Sequence, residues 1–365
     1  MKRNIKIYEN PILYLLILIV GIGTVMMYSA SSIVAINIHN EYSFYIQRHL
    51  IRLSISIIAL LVIYNINFKW FKKFSFEILI LSWIIMIAAY FFNDNTATKR
   101  WLILFGKNIF TTSDFARIAL IIFTANFIDN NKKKINQISL LVKSYFPFLL
   151  ITLLLILFQP DLSTTSATVL IITTMLIISG LKLKNLLLPF ISCLLIVIIK
   201  VLNTPYQYAR FIKWWNGDFN QQTENSIQAL GNGGIFGVGF GKSIIKNGFM
   251  PEVHTDFILP IIGEEIGFVG IIIIFSLYLA LYFYGVHICK SAPDIFSSML
   301  SIGITINILF YFLINASYVV GVLPTTGLPI PFISYGGSQL LFSFISIGIL
   351  MNISKYINVY KYRSL

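Results

Sequence analysis

The sequence predicts an all-α polytopic membrane protein, one domain over residues 1–365 with about ten transmembrane helices. Three observations carry that expectation. Hydrophobic residues make up 57% of the chain and charged residues only 11%, against about a quarter charged in ordinary soluble domains. Apolar runs of about 20 residues, the length that crosses hydrocarbon, recur from end to end and leave no stretch for a soluble domain. The basic residues behind the net charge of +13 lie in short clusters between those runs, not along one face. That is a topology signal rather than a nucleic-acid footprint, and no nucleic-acid partner is expected.

In order, the expected spans are 11–34, 46–66, 74–92, 114–128, 145–159, 162–180, 185–202, 257–286, 296–323 and 334–353. Lys2, Arg3 and Lys6 precede the first, whose 24 residues exceed a signal-peptide core of roughly 7 to 15, so it reads as a retained helix. With the N-terminus inside, cytoplasmic segments hold Lys69, Lys72, Lys73, Lys132, Lys133, Lys134, Lys143, Lys182, Lys184 and Lys290, and the tail holds Lys355, Lys361 and Arg363. Altogether 16 of the 27 basic residues then fall inside, where the positive-inside rule places them. Both termini are therefore expected in the cytoplasm. Cys193 and Cys289 offer neither a disulfide framework nor metal-ligand spacing.

On that topology the outside holds one large loop, 203–256, between the seventh and eighth helices, and a smaller one, 93–113. Both are basic against the rule, with Lys99, Arg100 and Lys107 in one and Arg210, Lys213, Lys242 and Lys246 in the other. Such charge fits an anionic ligand or lipid phosphates. Tyr206, Tyr208, Trp214 and Trp215 fit interfacial anchors, which lay the large loop along the membrane. The glycine-dense run 231–241 ends in a Gly-Lys-Ser that mimics a phosphate-binding loop, but Phe236 stands where that motif needs glycine and no parallel sheet surrounds it. Tight turns and close backbone approach are the better reading of those glycines.

Chemistry is concentrated just beyond. Glu252, His254, Asp256, Glu264 and Glu265 fall within fourteen positions of a chain that has only 14 acidic residues. Asp256, at a loop-to-helix junction, fits a general base whose pKa is tuned by partial burial, and equally an N-cap carboxylate. A metal site from Glu252, His254 and Asp256 is a further reading, although their alternate spacing fixes no coordination geometry. Asp114 and Arg117, at i, i+3, are spaced to form a structural ion pair. Arg48 and Arg52 either line an outer cavity or snorkel to phosphates. Asp161, between two adjacent spans, reads as a helix cap paired with a cation. Segment 321–338, rich in proline and glycine, is broken backbone of the kind tolerated at membrane depth only where it lines a cavity.

Together these segments resemble the SEDS family of polytopic glycosyltransferases, which includes RodA and FtsW. The resemblance runs nearly end to end. It is carried by Val25-Met-Met-Tyr-Ser-Ala-Ser-Ser32, Lys99-Arg-Trp101, Gln159-Pro-Asp-Leu162, Gly233-Gly-Ile-Phe-Gly-Val-Gly239, Pro251-Glu-Val-His-Thr-Asp-Phe257, Gly263-Glu-Glu-Ile-Gly267 and the stretch from Leu323 to Ser338.

What the resemblance implies is polymerisation of lipid II into glycan strands at the outer face of the cytoplasmic membrane. It further implies a class B penicillin-binding protein as transpeptidase partner, and other divisome or elongasome membrane proteins. Asp256 then falls on the catalytic carboxylate, with substrate contacts expected at Arg48, Arg100, Trp101, Arg210, Lys213, Lys242, Glu252, His254 and Ser334. A divalent cation, magnesium or manganese, is an expected cofactor, and no organic cofactor is. The chain departs from the family pattern at Thr111 and Thr112, at Asp114, Arg117 and Asn225, and at Ser163 where glycine is usual. Its first span, Gly241-Lys-Ser243 and its last helix look more like the division branch than the elongation branch. A flippase for the same lipid and a non-catalytic scaffold are the rival classes.

Overall fold

A computed structural model describes residues 10–92, 99–104, 107–246 and 253–361. The chain runs through α1 (Pro11–His39), α2 (Phe44–Asn65), α3 (Lys69–Lys73), α4 (Ser75–Phe91), a hairpin of β1 (Trp101–Leu104) and β2 (Lys107–Thr111), and α5 (Thr112–Asn131). Then follow α6 (Ile138–Ser144), α7 (Phe146–Phe158), α8 (Leu162–Ile178), α9 (Leu183–Leu202), α10 (Pro205–Trp215), α11 (Gln221–Gly233), α12 (Ile258–Ser291), α13 (Ile295–Val319) and α14 (Gly337–Lys361). Each expected span contains one helix. By length and composition α1, α2, α9, α12, α13 and α14 can cross a membrane alone, and α6 with α7, bent by 45°, would make a seventh crossing. The chain is a multi-pass membrane protein.

Local chemistry sets the helix ends. Asn10 caps α1 by accepting the Ile12 N–H at 3.1 Å, and Pro11 sits in the first turn, where its missing N–H costs nothing. Asn40 ends α1 in the left-handed conformation. Asp294 and Ser297 form a capping box at the start of α13.

The centre of the bundle is α13 against α5, with α8, α12 and α14 packed around them. α5 is buried almost throughout, from Thr112 to Ile128. It therefore tolerates Asp114 and Arg117 because it faces protein, not lipid. The apolar rows of the outer helices, such as Leu18, Ile58, Ile84 and Phe283, stay exposed, as a lipid-facing belt requires.

Two features depart from the sequence reading. The smaller loop contains an antiparallel hairpin, with Trp101 opposite Thr111 and a bulge between Leu102 and Ile103. The large loop is mostly helical, since α10 and α11 lie within it. Strands of four and five residues and an eleven-residue interfacial helix are too short for apolar periodicity to separate from loop.

α12 is broken at Gly267, whose φ is +79°. A break strands carbonyls below it and N–H groups above it. Here the glycine-dense run satisfies both sets. Val238 N donates to Glu264 O at 2.9 Å and Gly239 N to Glu265 O at 3.1 Å, while Phe268 N and Val269 N donate to Gly234 O and Ile235 O at 2.9 and 3.2 Å. Contact is so close that a Cβ on Gly237 would lie 2.2 Å from Glu265 O, and one on Gly267 2.3 Å from Gly237 N.

Candidate active site

The turn at 253–257 leads into α12, and Phe257, not Asp256, occupies the N-cap position. The backbone around Asp256 is held from α13. Its carbonyl accepts from Asn315 Nδ2 at 2.9 Å and from the Tyr318 hydroxyl at 2.8 Å, and Asn315 also donates to Leu328 O at 2.7 Å. That last bond ties the Asp256 turn to the strap between α13 and α14. Gly327 of the strap lies against the carboxylate, since a Cβ there would be 3.1 Å from Asp256 Oδ2.

Asp256 opens into a cavity of about 300 Å³ whose walls include Arg52, Arg100, Trp101, Asp114, Asp161, Tyr335 and Gln339. Five parts of the chain supply these groups: α2, the hairpin region, the start of α5, the α7–α8 turn, and the strap with the start of α14. Asp161 caps α8 through Thr164 N at 3.1 Å, accepts from Ser113 Oγ at 2.8 Å, and has Arg100 Nη1 at 3.7 Å. Arg117 sits behind the wall, 1% exposed. Its Nη1 is 2.8 Å from Asp114 Oδ1 and also donates to the Tyr311 hydroxyl, and Nη2 donates to Gln339 Oε1 at 3.3 Å. A buried guanidinium so engaged fixes α5, α13 and α14 relative to one another.

Thr111 and Thr112 join hairpin to helix. Thr112 N and Oγ1 both donate to Arg100 O, at 2.9 and 3.2 Å, Thr111 Oγ1 donates to Asp114 Oδ2, and Thr111 N donates to Ser338 Oγ at 2.7 Å. These bonds present Arg100 and Trp101 to the cavity.

The other residues expected in the site fall as follows. Arg48 turns away from the cavity and stacks over the Phe44 ring at 3.9 Å, and Arg52, over Tyr335 at 4.8 Å, takes the wall position. His254 is packed between Tyr45 and Tyr335, its carbonyl accepts from Tyr335 N at 2.8 Å, and its Nδ1 is buried without a partner. Burial pushes its pKa down to about 4, so at neutral pH the ring is uncharged packing. Ser334 is buried and accepts from Ile330 N at 2.9 Å, which closes the turn of the strap. Lys242 is exposed with its side chain over Gly239. Arg210 and Lys213 line a second cavity of about 280 Å³ beneath α10. Glu252 lies outside the described residues.

Lys246, one of the cations expected outside, is not available to a ligand. It is 3% exposed and 2.8 Å from Glu265 Oε1, and Ser29 of α1 donates to the same carboxylate at 2.8 Å. Glu264 accepts from Ser243 Oγ. Both glutamates therefore hold the segment just after the glycine-dense run to α12, and Glu265 also holds α1.

Among the described residues no three His, Cys, Asp or Glu side chains cluster as metal ligands. Asp114 is engaged by Arg117 and Asp161 by Ser113, Thr164 and Arg100, so the side chains by themselves do not compose a complete divalent-cation site.

Asn315, Tyr318, Gly327, Gln339 and Tyr335 were not singled out individually from sequence. For Gly327 and Tyr335 the signal is the density of proline and glycine in the strap, whereas Asn315, Tyr318 and Gln339 lie on α13 and α14 and carry no such signal.

Fold and site together define a multi-pass helical membrane protein with a carboxylate-bearing polar cavity at one end of the bundle. The chain matches the FtsW/RodA/SpoVE family, described as cell cycle protein, over residues 9–359, and it belongs to that family. It is 32% identical over 355 residues to the probable peptidoglycan glycosyltransferase FtsW of Trichlorobacter lovleyi, covering 95% of this chain and 93% of that one. It is 30% identical over 353 residues to the stage V sporulation protein E of Bacillus subtilis, covering 93% and 95%. Among solved structures, a chain of a peptidoglycan synthase complex that coordinates polymerization and crosslinking superposes with a TM-score of 0.77. That match has 19% identity and covers 94% of this chain and 97% of that one.

Proposed function

We propose that this protein is a peptidoglycan glycosyltransferase that polymerises lipid II, with Asp256 as the general base. The observation that carries the reading is the position of Asp256. Its backbone is fixed by Asn315 and Tyr318, and its carboxylate lies against Gly327 in a cavity walled by Arg52 and Arg100. A base must be held where its target proton arrives, and geometry precedes pKa in that requirement.

Asp256 takes the proton from the 4-hydroxyl of the GlcNAc of an incoming lipid II. The oxygen attacks the anomeric carbon of the lipid-linked growing strand, the carbon–oxygen bond to the diphosphate breaks, and undecaprenyl diphosphate leaves with the electron pair. Charge develops on the leaving diphosphate, where nearby cations stabilise it. A divalent ion would add to that neutralisation, held jointly by a carboxylate and the substrate phosphates. The cavity faces outside the cytoplasmic membrane, and the Lys132–Lys134 end faces the cytoplasm. A class B penicillin-binding protein is the crosslinking partner, and the resemblance favours the division branch.

The test uses purified protein, its partner transpeptidase and labelled lipid II. Glycan polymer should form and should vanish in Asp256→Asn. Polymer surviving that change removes Asp256 as the base. Lipid transport across vesicles without any polymer would instead support a flippase. Depletion should give filamentous cells, whereas rounded cells would assign the protein to elongation.

A further inference from the structure

We propose that the second cavity, beneath α10, binds the diphosphate of a lipid-linked substrate, while the Asp256 cavity holds the sugars that react. This rests on the glycosyltransferase reading above and assigns it a separate anion subsite.

The argument starts from charge. In the Asp256 cavity two cations, Arg52 and Arg100, face three carboxylates, Asp114, Asp161 and Asp256. Arg100 stands 3.7 Å from Asp161, and Arg117 behind the wall is spent on Asp114 at 2.8 Å. A diphosphate there meets no surplus of positive charge. In the second cavity Arg210 and Lys213 face one carboxylate among the described residues, Asp218. An anion is stabilised where uncompensated cations and partial desolvation coincide.

Donor geometry points the same way. Arg210 spends one N–H of Nη1 on Thr325 O at 2.8 Å. A guanidinium carries five donors in a fixed fork, and the remainder suit phosphate oxygens. Tyr206, Trp214, Phe219 and Leu323 supply apolar wall for the first units of a polyprenyl chain. α10 begins at Pro205, directly after the membrane-spanning α9 ends at Leu202, and Tyr206 and Trp215 on it are exposed. Those features place the cavity at the level of lipid headgroups.

The two cavities share a wall. The strap lines the second cavity with Leu323 and Thr325 and the first with Gly327, Leu328 and Pro329. One residue, Thr326, separates Thr325, bonded to Arg210, from Gly327 against Asp256. A lipid with its diphosphate on Arg210 and Lys213 can therefore extend its sugar past the strap to the base.

Binding without turnover tests this, using Asp256→Asn in nanodiscs of phosphatidylcholine with lipid II and undecaprenyl diphosphate as probes. Adding Arg210→Gln and Lys213→Gln should weaken both probes by about tenfold or more and flatten the salt dependence of binding. Arg52→Gln should leave undecaprenyl diphosphate affinity within about twofold. Equal affinity in the double variant, or a larger loss in Arg52→Gln, overturns the proposal. So does displacement of the probes by equimolar phosphatidylglycerol, which would make the cavity a general phospholipid-phosphate site. Should the double variant misfold, Lys213→Gln alone, at an exposed side chain, must still weaken undecaprenyl diphosphate by about threefold. Failure of the Asp256→Asn protein to bind lipid II at all overturns the glycosyltransferase reading, and the subsite with it.

Discussion

Asn315 on α13 donates its side-chain amide to the backbone carbonyl of Asp256 at 2.9 Å, and the same nitrogen reaches Leu328 O at 2.7 Å. One side chain thus holds the turn that carries the base to the strap that walls its cavity. An amide has only two protons, and the Tyr318 hydroxyl supplies a further donor to Asp256 O at 2.8 Å. Asn315→Ala removes the amide's links to both carbonyls and leaves Leu328 O with only the longer bond from the Tyr318 hydroxyl, at 3.3 Å. The polymerisation rate should fall by about tenfold or more through misplacement of the base. Tyr318→Phe, which leaves Asn315 in place, should cost less. Equal losses in the two variants, measured on purified protein at saturating lipid II, would contradict that ordering.

The buried pair of Lys246 and Glu265 gives a stability prediction. Both are almost fully buried at 2.8 Å, with Ser29 on the same carboxylate. Removing one partner of a buried pair strands the other, at about 3–5 kcal/mol. Glu265→Ala should therefore lower the melting temperature in detergent far more than the double change Glu265→Leu, Lys246→Met. If the double variant melts as low as the single, the charge argument fails and packing accounts for the loss.

How much of this was legible in the sequence depends on the physics of each part. The helices were legible because apolar runs of spanning length are a strong signal, and every expected span contains one. The hairpin and α10 were not, because short elements at an interface carry no such run. Asp256 stood out through scarcity, since few acids occur anywhere in the chain. Its supports did not, because Asn315 and Gly327 matter through long-range contacts that local sequence cannot show. The cations of the expected outer surface look alike in sequence, yet Lys246 is paired, Arg48 stacks on Phe44 and Arg210 bonds the strap. Only the fold sorts equal charges by their surroundings.

The glycine-dense run makes the same point and yields a third prediction. Sequence suggested close approach there but not against what. Gly233 packs so tightly on α12 that a Cβ would lie 1.9 Å from Gly263 O, whereas nothing lies within 4 Å of one on Gly231. Gly233→Ala should destabilise the protein by more than about 2 kcal/mol, the range of overpacked or strained sites. Gly231→Ala, inside the same helix, should be neutral or stabilise slightly through helix propensity. Thermal melting of the two variants side by side checks this, and similar values would mean that α11 can move off α12.

His254 supplies a prediction in pH. Burial lowers its pKa from the usual 6.5 to about 4, so the folded state favours the neutral ring while the unfolded chain takes up a proton below about 6.5. The resulting stability is complete above that value and is lost as pH falls from 6.5 through 4. At pH 5 the loss from this one group is about 2 kcal/mol. Its ring sits between Tyr45 and Tyr335, two residues from Asp256, so protonation should loosen the wall beside the base before the bundle melts. His254→Gln removes the titration but keeps a polar side chain. The melting temperature of the parent protein should drop more steeply between pH 7 and pH 5 than that of the variant, with the two curves running parallel above pH 7. Parallel curves over the whole range would show that His254 takes up its proton in the folded state as readily as in the unfolded chain.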